Sequence, residues 1–78
     1  MMIFLIEYDR DRGRLVSIKT FEESERDEAD NSRLEMELEL NRLGKVREVV
    51  VLEALDERAL RRTHRRYFED LTELVTTP

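Results

Sequence analysis

The stretch Arg33-Leu34-Glu35-Met36-Glu37-Leu38-Glu39-Leu40 alternates apolar and acidic residues with the period of a half-buried strand, yet nearly every residue in it favours a helix. Its surroundings decide between the two. From Glu22 to Lys45 there is no Val, Ile, Thr, Phe, Tyr or Trp, so the residue types enriched in strands are missing. Thr20 with Glu23, or Ser24 with Asp27, offers an N-terminal cap, the early acids suit the helix dipole, and Gly44 sits where a left-handed C-terminal cap belongs. The segment therefore reads as a helix over about 23–43.

At about 100° per residue, Ala29, Met36, Leu40 and Leu43 share one face of that helix, and Leu34 and Leu38 project nearly opposite. Alternation on a helix thus creates two apolar stripes. One can pack on a sheet. The other, Leu34 and Leu38, needs either the C-terminal helix of the same chain or a second subunit.

Apolar runs on both sides of this helix supply the sheet. Residues 2–8 form an apolar strand with both faces suited to burial, hence a central one. The turn-rich Asp9-Arg10-Asp11-Arg12-Gly13 leads into a second strand over about 14–21, whose Ser17 and Lys19 suit an edge. A third strand over about 46–53 carries the run Val49-Val50-Val51-Leu52. Asp56 then caps a second helix, with Leu55 and Leu60 placed as a hydrophobic staple, expected to run over about 56–75. Its apolar stripe is Leu60, Tyr67, Phe68, Leu71, Leu74 and Val75, with His64 in the middle, and Arg58, Arg61, Arg62, Arg65 and Arg66 project to the other side.

The order ββαβα predicts a single small α+β domain: a three-stranded sheet in the order 2-1-3, a split βαβ unit, with two helices. If both helices lie on one side, the other side of the sheet exposes an apolar row too large for a monomer.

Composition narrows the functional classes. A chain of 78 residues buries only about 60% of its unfolded surface, so small domains gain from disulfides, metals or oligomerisation. With no cysteine and one histidine, a disulfide framework and a Cys/His zinc site are excluded. Oligomerisation remains. A formal charge of −5 argues against attraction of the whole molecule to nucleic acid or anionic lipid. The apolar start Met1 to Ile6 lacks a basic flank and meets Glu7 and Asp9 too early for a signal peptide or a membrane span, which makes the expected location cytoplasmic.

No phosphate-cradling glycine motif, nucleophile elbow or dinucleotide fingerprint is present, and Asp9 to Gly13 lacks the later acids of a calcium loop, so neither cofactor nor metal is expected. Two features invite function. His64 with Tyr67 could form a pocket, though a lone histidine without a nucleophile reads first as a packed side chain. Arg58, Arg61, Arg62, Arg65 and Arg66 could grip phosphates, yet Glu69 and Asp70 stand four residues beyond Arg65 and Arg66, as in a solvated helix of mixed charge. The leading expectation is a non-enzymatic module that contacts protein, as a homodimer through its sheet face or through Leu34 and Leu38, or with another protein. The alternative is a nucleic-acid-binding accessory protein using the five arginines.

Overall fold

The computed structural model of the chain describes residues 1–69. Strand β1 (Met2–Asp9) lies between β2 (Arg14–Glu22) and β3 (Glu48–Ala54), each antiparallel to it, giving the order β2-β1-β3. Successive side chains of a strand point to opposite faces. Phe4, Ile6 and Tyr8 therefore belong to one core, and Ile3 and Leu5 to a second on the reverse of the same strand. All five are buried.

Each core has its own lid. Helix α1 (Arg26–Arg42) brings Ala29 and Met36 onto Ile3, Leu5 and Phe21, with Val49 and Val51 of β3 completing the layer. Helix α2 (Glu57–Thr63) and the 3₁₀ turn Arg65–Phe68 bring Leu60 and Tyr67 onto Phe4, Ile6 and Tyr8, flanked by Val50 and Leu52. The helices thus lie on opposite faces of the sheet. An apolar row left open by two helices on one side does not arise.

Local chemistry sets the boundaries. Gly13 adopts φ 65° in the hairpin, donating to the Asp9 carbonyl at 2.8 Å, while Asp9 Oδ1 accepts from the backbone of Asp11 and Arg12. Neither Thr20 nor Ser24 caps the first helix. Strand β2 runs on to Glu22, whose backbone N–H donates to Glu25 Oε1 at 2.9 Å, and a 3₁₀ turn over Glu23–Glu25 precedes α1. At the other end Lys45 donates to Leu40 O at 2.9 Å and Gly44, at φ 69°, donates to Asn41 O at 3.1 Å, the paired bonds of a Schellman cap. Val46, expected to open the third strand, lies in the connection and is 77% exposed.

The second helix departs most from expectation. Asp56 caps it, accepting from Ala59 N at 2.8 Å, but Leu55 is 74% exposed and staples nothing to Leu60. Instead of continuing towards Val75, α2 stops at Thr63, and His64 takes φ −125°, ψ 52°. The Thr63 hydroxyl bonds back to Ala59 O at 3.0 Å, a side-chain bond of the kind that bends helices. Packing supplies the stronger reason. In an unbroken helix Tyr67 would stand about 10 Å along the axis from Leu60, whereas the break turns its ring edge-on to Tyr8 at 5.3 Å. Residues 70–75 of the expected helix lie outside the described residues.

Leu60 is fully buried and is the main apolar contribution of α2 to the first core. Leu60→Ala is expected to cost about 2–5 kcal/mol, measured as a fall in the urea midpoint at constant slope.

Candidate interaction surfaces

The outer face of α1 carries the first candidate. Ala29 faces the sheet and is fully buried, which turns Leu34 and Leu38 outwards at 51% and 60% exposure. Helix α2, the described part of the expected C-terminal helix, does not cover them, because it packs on the other face of the sheet. The arginines of α1 are engaged within the chain: Arg26 with Glu53, Arg33 with Glu37 at 2.9 Å, and Arg42 with Glu39. Asp27, Glu28, Asp30 and Glu35 are exposed around the two leucines.

The five arginines of the second candidate do not form one face, because the chain turns at His64. Arg61 bonds Glu57 at 3.3 Å and lies 4.4 Å over the Phe68 ring. Arg65 reaches Glu69 at 3.9 Å, the pair expected from spacing. Arg66, whose expected partner Asp70 lies outside the described residues, donates to Glu48 of β3 at 2.6 Å and to the Tyr67 hydroxyl at 2.8 Å. Arg58 and Arg62, one turn apart on α2, have no carboxylate partner among the described residues. Phosphate recognition by this segment therefore reduces to two exposed cations rather than five.

A second arginine group, not anticipated from sequence, surrounds the hairpin. Arg12, Arg14 and Arg47 line a cleft with Asp9, Leu15 and Val16. Arg47 is held by Glu7 and lies 3.9 Å from Asp9, so much of its charge is balanced in place.

Tyr67 and His64 are separated by the turn. The Tyr67 hydroxyl donates to Glu48 Oε2, while Arg66 also reaches Glu48 and stacks 4.2 Å over the Tyr67 ring. His64 is half-buried at the end of α2, its backbone N–H donating to Leu60 O at 2.8 Å. The group Tyr8, Glu48, Arg66 and Tyr67 thus latches the C-terminal turn to the sheet. Sequence reasoning missed Glu48 because nothing local links it to residues eighteen and nineteen positions later. Among the described residues no cluster of His, Asp and Glu is placed to hold a metal ion, and no helix is long and apolar enough to cross a membrane.

The latch makes stability depend on pH at both ends. The Tyr67 hydrogen bond, helped by Arg66, lowers the Glu48 carboxyl below its usual value, so its contribution is present above the ordinary carboxylate range and lost as pH falls through the lowered value. Burial, then the bond to Glu48, raises the Tyr67 phenol, so its contribution is complete below the ordinary phenol range and lost as pH rises through the raised value. Tyr67→Phe is expected to cost about 1.5–3 kcal/mol at neutral pH, as for a bond to a charged acceptor, and to flatten both limbs of a stability profile measured by urea unfolding. No protein family, curated protein or solved structure matches the chain, so its functional reading rests on its own residues.

Proposed function

We propose that this chain is a non-enzymatic protein-contact module of the cytoplasm that associates with itself through the outer face of α1. The observation that carries this reading is the exposure of Leu34 and Leu38 on a helix whose Ala29 and Met36 already serve the core, in a molecule whose sheet has a lid on each face. Two neighbouring leucines half or more in water gain from a cover, at roughly 25 cal/mol per Å² of apolar surface removed. A single-helix seam is small, at or below about 1,200 Å² of total buried surface. It therefore suits a reversible dimer.

The phosphate-binding alternative draws less support, since Arg61, Arg65 and Arg66 are engaged with Glu57, Glu69 and Glu48. Light scattering over a concentration series tests the reading. The mass is expected to rise from one chain towards two, and Leu34→Gln with Leu38→Gln to abolish the rise while leaving the far-UV circular dichroism unchanged. A constant single-chain mass would overturn the proposal. So would tight single-stranded DNA binding that falls steeply with salt and vanishes in Arg58→Ala, Arg62→Ala protein.

A further inference from the structure

We propose that the partner on α1 is a second copy of this chain lying antiparallel, its α1 in a fixed register about a two-fold axis between Leu34 and Leu38. This rests on the self-association proposed above and adds its geometry. Asn31, Leu34, Leu38 and Asn41 are all exposed, and their spacing of three, four and three residues is that of the seam positions of a helix pair. The row is symmetric in kind: asparagine, leucine, leucine, asparagine. A perpendicular two-fold axis through its middle sets Leu34 of one copy against Leu38 of the other, and Asn31 against Asn41. Each asparagine amide carries both donor and acceptor, so the outer layers satisfy themselves, and polar residues at seam positions fix register.

Charge selects the direction. The start of α1 exposes Asp27 and Asp30, and Lys45 follows its end, while Glu37 and Glu39 in its second half are paired with Arg33 and Arg42 of the same chain. Lys45 has no carboxylate partner among the described residues. The antiparallel register sets Asp27 of each copy beside Lys45 of its mate and opposes the two helix dipoles; a parallel pair sets Asp27 on Asp27 and Asp30 on Asp30. An isologous contact of this kind closes at two copies.

The chain has no cysteine, so paired thiols can be introduced without interference. Asn31→Cys and Asn41→Cys proteins are purified separately, then mixed or kept alone in a glutathione redox buffer, and the linked peptides are identified after trypsin cleavage. The mixture is expected to yield the 31-to-41 disulfide. Each protein alone should stay unlinked, because like positions stand about 15 Å apart along the antiparallel axis, beyond the reach of a disulfide. Ready linkage of Asn31→Cys protein to itself would indicate a parallel pair and overturn the register. No linkage in any sample, with the unsubstituted chain still dimeric by light scattering, would move the seam off α1 and overturn this inference while self-association stands. A chain monomeric throughout would remove both.

Discussion

The structure depends on one constraint: Ile3, Phe4, Leu5 and Ile6 run consecutively through the central strand, so apolar side chains leave both faces of the sheet. Each such side chain contributes about 1.5–3 kcal/mol when fully removed from water, a large fraction of the net stability of so small a domain. Leaving either face open would forfeit half of that gain. One helix must therefore lie on each side. The chain meets this with α1 inserted between β2 and β3 over Ile3 and Leu5, and with α2 and its following turn over Phe4 and Ile6.

That division fixes what remains on the surface. Because α1 has the sheet on one side and no second helix beside it among the described residues, its reverse stripe stays in water. Because α2 is short, its lid is completed by the turn that carries Tyr67 and Phe68, and the turn is held by polar contacts rather than by further apolar area. Tyr67 packs on Tyr8 and bonds Glu48, and Arg66 closes the group from above. The same turn separates the arginines: Arg61 pairs with Glu57 within α2, Arg65 and Arg66 beyond the turn meet Glu69 and Glu48, and Arg58 and Arg62 stay in solvent. The exposed stripe of α1 and the divided arginines are thus consequences of how the two small cores are roofed.

Most of the architecture was legible along the chain. The absence of strand-forming residue types from Glu22 to Lys45 made α1 unambiguous, the glycines at Gly13 and Gly44 marked the two places among the described residues where φ is positive, and Asp56 marked the start of α2. The strand order followed from which runs could tolerate burial on both faces. Even the outward direction of Leu34 and Leu38 was set by helical period, since it depends only on their angle to Ala29 and Met36.

Elements whose signal lies within one or two turns could be read locally: the strands, the long helix, its two stripes, and the caps at Gly44 and Asp56. The tertiary structure alone decided which face of the sheet each helix takes, where α2 ends, and which acid each arginine meets. Periodicity gives a direction around an axis but no information about what lies in that direction. Local signals read through His64, whereas the turn there brings Tyr67 to Tyr8 and Glu48 on the neighbouring strands, partners so distant in sequence that local spacing does not reveal them.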